Sequence, residues 1–101
     1  YELKYIDDSR FAEILIDSYK KYKNYGYMMI KKKLMEKRLT SQIIESSLDE
    51  YFTNEDELEV AKRFLKKDKL TVDTQENKQR VVRRLQSRGF RGQIVSKLVF
   101  I

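Results

Sequence analysis

Residues 74–98 read TQENKQRVVRRLQSRGFRGQIVSKL, and this stretch decides the fold. A helix is predicted from Thr74 to Arg88, with Val81, Val82 and Leu85 as its core positions. Gly89 suits the left-handed backbone conformation that ends many helices. The stretch therefore predicts a helix that begins at Thr74 and is closed by Gly89, then a tight turn and a short final helix.

The same pattern occurs earlier in the chain. Residues 37–40 correspond to residues 88–91, and Ile43-Ile44 corresponds to Ile94-Val95, each pair separated by 51 residues. A period of this length is typical of repeat proteins, in which each unit supports its neighbour. The chain has no Pro and only 3 Gly among many good helix formers, so both copies are predicted to be helical. The alternative is a chance match between two unrelated helical stretches.

The predicted fold is all-α, a tandem repeat of two three-helix units in an elongated, right-handed or curved arrangement. The predicted units are residues 1–53 and residues 54–101. Charged residues make up 38% of the chain, which requires a large solvated surface for the volume enclosed. Elongated packing of helices meets this requirement better than a compact globule does.

The first helix is predicted from an apolar stripe. Its predicted core residues are Phe11, Leu15, Tyr19 and Tyr22. Asp7 or Asp8 is predicted to cap its amino end, and Gly26 to end it. Paired catalytic carboxylates or metal ligands are the alternative for the two aspartates, but no complementary acidic or histidine cluster is visible.

Local signals also place the remaining helix boundaries. A second helix is predicted from Tyr27 to Lys37, and Thr40 is predicted to cap the third. Thr53 or Asn54 is predicted to cap the fourth helix, whose acidic first turn suits the helix dipole. A connector around residues 70–73 then leads into the fifth helix.

The composition argues against several classes of function. With no Cys and no His, the chain lacks thiolate nucleophiles, imidazole bases and the usual zinc ligands, so we expect no enzymatic activity and no metal or cofactor. No apolar stretch approaches the ~18 to 20 residues that span a bilayer, and the charged stretch Tyr1–Arg10 does not resemble a signal peptide. We expect a cytoplasmic monomer that has no membrane partner. Because the helical pattern begins almost at Tyr1, we also expect the chain to be a fragment.

The net charge of +6 favours an anionic partner, and it is unevenly distributed. The first predicted unit has a net charge of +1 and the second a net charge of +5. Four arginines of the fifth helix share much of one face, largely away from the apolar residues: Arg80, Arg83, Arg84 and Arg88. Folding does not call for neighbouring like charges, whereas guanidinium groups bind phosphate or carboxylate well. The alternative is an ordinary solvated face.

The corresponding helix of the first unit is basic as well. Its cations are Lys31, Lys32, Lys33, Lys37 and Arg38, against the single acid Glu36. A basic helix repeated in both units predicts one track of cations, as contacts to a nucleic acid backbone require. The predicted binding residues are Lys32, Lys33, Lys37, Arg80, Arg83, Arg84, Arg88 and Arg91.

Tyrosines interleave with lysines between residues 19 and 27, an arrangement that also occurs where bases stack on a basic surface. Tyr19 and Tyr22 continue the predicted core stripe, which leaves Tyr25 or Tyr27 for such contacts. Lys20, Lys21 and Lys23 lie near a helix end, where the helix dipole accounts for them.

With these residues in place, the chain resembles the RecX family, bacterial regulators of the RecA recombinase. The resemblance rests on residues 5–12 (YIDDSRFA), on Tyr25-Gly26-Tyr27 with Ile30 and Leu34, and on Arg84-Leu85 and Arg88-Gly89-Phe90 with Ile94 and Leu98. It covers essentially the whole chain, and the first motif is the most specific. Two departures are Met28-Met29, where the family commonly has basic residues, and Arg38, where it commonly has Gly.

The resemblance implies tandem three-helix repeats, usually three, of which this chain corresponds to the middle and last. It also implies a part in homologous recombination, DNA repair and the SOS response. The implied function is a non-enzymatic inhibitor that lies in the groove of the RecA filament on single-stranded DNA. Such a protein limits filament growth, ATP hydrolysis and strand exchange. The alternatives are a DNA- or RNA-binding helical module that acts without RecA, and an adaptor that binds only protein.

Overall fold

The computed structural model describes residues 8–99, which form six α-helices and no strand. The helices are α1 (Asp8–Ser18), α2 (Tyr27–Glu36), α3 (Ser41–Tyr51), α4 (Asn54–Lys67), α5 (Gln75–Ser87) and α6 (Gly92–Val99), and α1 continues into a π-helical turn (Tyr19–Lys23). The molecule measures 55 × 21 × 20 Å along its principal axes. These findings confirm the all-α, elongated fold. Asp7 lies outside the described residues, and Asp8 is the first residue of α1.

Threonine side chains begin three of the helices. Thr40, Thr53 and Thr74 each accept a hydrogen bond from the backbone N–H three residues later, at 3.1 to 3.2 Å. The Asp56 carboxylate also accepts from the backbone N–H of Thr53 at 3.0 Å, which completes a capping box. The predicted starts of the third, fourth and fifth helices are confirmed.

The end of the second helix has the same geometry in both units. Arg38 and Gly89 lie 51 residues apart, and both adopt a left-handed backbone conformation, with φ of 64° and 86°. A left-handed residue at this point ends the helix and turns the chain toward the next one. Gly89 adopts this conformation without the penalty that a side chain imposes at Arg38.

One core runs along the molecule, and its members recur at the repeat distance. Four pairs of fully or nearly buried residues lie 51 apart: Ile30 and Val81, Leu34 and Leu85, Ile44 and Val95, and Leu48 and Val99. Phe52, Phe64 and Phe90 are buried in the same cluster as these pairs. The repeat that the sequence predicts is therefore present in the packing.

The predicted core stripe of the first helix is wrong for Phe11 and Tyr22, whereas Leu15 and Tyr19 are half-buried and pack against the core as predicted. Phe11 is 44% exposed and Tyr22 is 75% exposed, whereas Ala12 and Ile16 are fully buried. The buried face of α1 lies one residue further along than the aromatic stripe suggests. Tyr22 lies in the π-helical turn, whose i to i+5 hydrogen bonds change the direction in which successive side chains point.

Candidate functional site: the unit junction and the basic faces

The amino end of α2 is capped by residues of the second predicted unit, and we call this contact between the two units the junction. The backbone N–H groups of Gly26 and Met28 donate to the carbonyl oxygens of Arg88 and Gly89, each at 2.9 Å. The first N–H groups of a helix have no partner within the helix, and the last carbonyl groups have none either. The carbonyl groups at the end of α5 and the N–H groups at the start of α2 therefore satisfy each other's hydrogen bonds. The negative end of one helix dipole also lies against the positive end of the other. Gly26 is required here because a Cβ atom would collide with the backbone of Phe90.

A buried carboxylate joins three segments at the same place. Glu57 is fully buried in α4, and its Oε2 accepts from the backbone N–H groups of Tyr27 and Arg91, each at 3.0 Å. Its Oε1 accepts from Arg91 Nε at 2.8 Å. The Arg91 guanidinium lies 3.9 Å from the centroid of the Tyr27 ring and also donates to Asn54 Oδ1. Burial, followed by the nearby Asp49, raises the pKa of the Tyr27 phenol.

Two arginines of the second unit cap the carboxyl end of the π-helical turn that follows α1. Arg63 Nε donates to the buried Asn24 Oδ1 at 3.0 Å, and its guanidinium also donates to the Lys20 carbonyl. The Arg88 guanidinium donates to the Lys23 carbonyl. Cations at the carboxyl end of a helix interact favourably with its dipole and satisfy its free carbonyl groups. Both ends of the α1–α2 turn are thus held by charged groups of the second unit.

The basic helices of the two units meet at Tyr25. The Arg88 guanidinium carbon lies 5.3 Å from the centroids of both the Tyr25 and Phe64 rings, and Lys33 Nζ lies 6.0 Å from the Tyr25 ring. Arg88 Nε is buried and makes no hydrogen bond. This arrangement indicates that ring contacts and carbonyl capping keep Arg88 in place.

The expectation that folding does not call for the α5 arginines is wrong for two of them. Arg84 forms an ion pair with Asp68 at 2.5 Å, and Arg88 is held in the junction. Arg91, on the turn before α6, is paired with Glu57. Arg80 and Arg83 remain exposed on α5, and neither has an ion-pair partner within the part of the chain that the structure describes.

The predicted lysines of the first unit divide in a similar way. Lys32 and Lys37 are exposed, whereas Lys33 is half-buried beside Tyr25. Five of the eight predicted binding residues are exposed, and one of them, Arg84, is paired with Asp68. The other four have no ion-pair partner among the described residues and lie on α2, at its carboxyl end or on α5: Lys32, Lys37, Arg80 and Arg83. We call these four residues the open cations.

Sequence reasoning missed the two side chains that hold the junction from α4. Neither Glu57 nor Arg63 belongs to a recognisable sequence motif, because the groups that they contact lie 30 or more residues away in sequence. One signal was present for Glu57, which lies in register with the buried Val60, Ala61 and Phe64 on α4. A charged residue on a buried helical face indicates a satisfied internal partner.

Between residues 8 and 99, no helix is long and apolar enough to cross a membrane. The same region contains no group of three or more Asp or Glu side chains placed to hold a metal ion.

Comparison with known proteins identifies the family. Residues 7–48 match the family described as RecX, second three-helix domain. The regulatory protein RecX of Leuconostoc mesenteroides subsp. mesenteroides is 32% identical over 93 residues, which cover 89% of this chain and 34% of the relative. The regulatory protein RecX of Bacillus pumilus is 30% identical over 97 residues, which cover 93% of this chain and 36% of the relative. No solved structure matches.

The chain spans about a third of the length of these relatives. Both carry the name of a regulatory protein, and the matched family is defined by a three-helix domain of the kind that α1, α2 and α3 form. The chain therefore belongs to the RecX family of regulatory proteins, and residues 7–48 correspond to its second three-helix domain.

Proposed function

We propose that this chain is a non-enzymatic modulator of the RecA recombinase. It binds in the groove of the RecA filament on single-stranded DNA and limits filament growth, ATP hydrolysis and strand exchange. Family membership supports a regulatory role. The observation that carries the proposal is that the basic helices α2 and α5 meet at Tyr25 on a molecule 55 Å long, which suits binding along an extended anionic groove.

The open cations provide the physical basis for this binding. They belong to the same helix of each unit, and the second unit carries most of the net charge. Several exposed cations on one molecule can neutralise several phosphates or carboxylates at once, which releases counterions and strengthens binding at low salt. Binding by this route requires no bound cofactor and no catalytic group.

The test is a titration of RecA-dependent, DNA-stimulated ATP hydrolysis. The variant with Arg80→Ala and Arg83→Ala removes two open cations without touching the junction. The control variant, with Lys62→Ala and Lys97→Ala, removes the same charge from exposed positions on α4 and α6. Arg84 and Arg88 are left unchanged, because their contacts with Asp68 and with the Lys23 carbonyl would make a loss of binding ambiguous.

We expect the wild-type chain and the control to inhibit hydrolysis, and the arginine variant to inhibit it more weakly. In a salt series, the arginine variant should show a slope of log affinity against log salt that is reduced by about 2, one for each lost anionic contact. Unchanged hydrolysis at saturating wild-type chain would refute the proposed function. Tight, sequence-dependent binding to DNA without RecA, at physiological salt, would favour a stand-alone nucleic acid-binding module. An arginine variant that retained full filament binding would favour an adaptor that binds only protein.

A further inference from the structure

The outer face of α2 differs in chemistry from the outer face of α5. Met28, Lys32 and Met35 lie at i, i+4 and i+7 on α2, on the side opposite the buried Ile30 and Leu34. Met28 is 53% exposed and Met35 is 60% exposed. Lys32 lies between them and is also exposed. We call Met28, Lys32 and Met35 the α2 stripe.

We propose that the α2 stripe binds an acidic protein surface that contains an apolar recess, and that α5 supplies the contacts to nucleic acid. The inference rests on the proposed function, under which the protein surface belongs to RecA subunits and the nucleic acid is the DNA within the filament. It assigns the two basic helices to two partners, where charge alone would assign both to the same one.

The first argument is the pair of methionines. Methionine is flexible and polarizable, fits irregular apolar recesses, and is common on protein-binding surfaces. Two large apolar side chains exposed on one helical face cost solvation free energy unless a partner covers them. A phosphate backbone offers a methionine side chain no such cover, because phosphate contacts are made by charged and hydrogen-bonding groups.

The second argument is the charge around the methionines. From residue 27 to residue 38 the chain carries five cations and the single acid Glu36. An apolar pair within a basic field is complementary to an apolar recess with an acidic rim, and such complementarity speeds association and selects the partner.

The third argument is the contrast with α5. Its exposed residues include Arg80, Arg83, Gln79 and Gln86, and its apolar Val82 is half-buried. No large apolar side chain of α5 is among the exposed ones in the region that the structure covers. A face of guanidinium and amide groups is suited to phosphate and sugar contacts.

The experiment measures binding of labelled chain to two targets, a preformed RecA filament on single-stranded DNA and the same DNA alone. The test variant carries Met28→Gln and Met35→Gln, which keeps charge and helix propensity but removes the apolar surface. A second variant, Met28→Leu with Met35→Leu, keeps the apolar surface. Ile14→Gln, at a residue of α1 that is 55% exposed, is the control for loss of an exposed apolar side chain elsewhere.

We expect the glutamine variant to bind the filament about tenfold more weakly than the wild type and to bind DNA alone equally well. The leucine variant and the Ile14 control should bind both targets like the wild type. The thermal unfolding midpoint of every variant should be close to that of the wild type, because the substituted side chains are exposed.

Three results would overturn the inference, and they differ in what else they affect. If the glutamine variant bound the filament as tightly as the wild type, the stripe would not be an interface. If it lost affinity for DNA alone to the same degree, the occupant would be nucleic acid. In both cases the proposed function would stand. If the wild-type chain did not bind the filament at all, the proposed function would fail together with the inference.

Discussion

Removing the buried carboxylate of Glu57 should destabilise the whole molecule. The carboxylate accepts three hydrogen bonds, from two backbone N–H groups and from the Arg91 guanidinium, and it is fully buried. In Glu57→Ala all three donors lose their partner, and the largely buried Arg91 loses its counter-charge. The substitution therefore leaves unpaired polar groups in the interior instead of simply removing a contact.

The size of the effect follows from these losses. An unsatisfied buried donor costs about 1–3 kcal/mol, and removing one partner of a buried ion pair costs about 3–5 kcal/mol. These costs overlap, so we expect Glu57→Ala to lower the free energy of unfolding by about 4 kcal/mol. A small domain has about 5–15 kcal/mol in total, so the loss is large. Glu57→Gln keeps one acceptor oxygen but places an NH₂ group near the junction donors, and should cost about 2–3 kcal/mol.

The assay is urea unfolding followed by far-UV circular dichroism, with Glu59→Gln as the matched control. Glu59 lies on the same helix and is exposed, so its substitution should change the free energy of unfolding by less than about 0.5 kcal/mol. A loss below about 1 kcal/mol for Glu57→Ala would refute the reasoning, because it would mean that the three donors find other partners at little cost.

Three further substitutions test other parts of the fold. Gly26→Ala should destabilise by about 2 kcal/mol or more in the same urea assay, because its Cβ atom meets the Phe90 backbone, which cannot move aside as a side chain can. Arg38→Gly should stabilise by about 0.5–1 kcal/mol, since Gly adopts the left-handed conformation freely and Arg38 is exposed, and a loss of stability would contradict this. Asp73 accepts hydrogen bonds from Asn77 and Thr71, which lower the pKa of its carboxyl group. Its stabilising effect should therefore be present above the usual aspartate range and lost as the pH falls through the lowered pKa, so wild type and Asp73→Asn should become more alike in acid, as thermal melts over that pH range would reveal.

The parts of the fold that sequence could predict are those with local causes. Thr40, Thr53 and Thr74 cap helices through residues three positions away, and Gly89 ends a helix through its own backbone conformation. The aromatic stripe could not reveal which face of α1 is buried. Phe11 is as apolar as a core residue, and only the packing of the fold shows that Ala12 is buried instead.

The candidate site was only partly predictable for a related reason. Arg80 and Arg88 look alike in sequence, as two members of a row at helical spacing. They differ because Arg88 reaches Lys23, Tyr25 and Phe64, which come from other elements of the fold, and Arg80 does not. Which cations are open to a partner is decided by tertiary contacts, and the helical pattern does not contain them.

The capping of α2 by the second unit affects where the chain can be divided. The sequence repeat predicts a boundary at residue 53, but the first amide groups of α2 depend on oxygen atoms from residues 57, 88 and 89. A fragment that ended at residue 53 would have to expose those amide groups to water. A fragment that began at residue 54 would keep the Glu57 carboxylate without its hydrogen bond from the Tyr27 N–H. The repeat is thus a unit of sequence, whereas these backbone groups are paired only when segments of both predicted units are present.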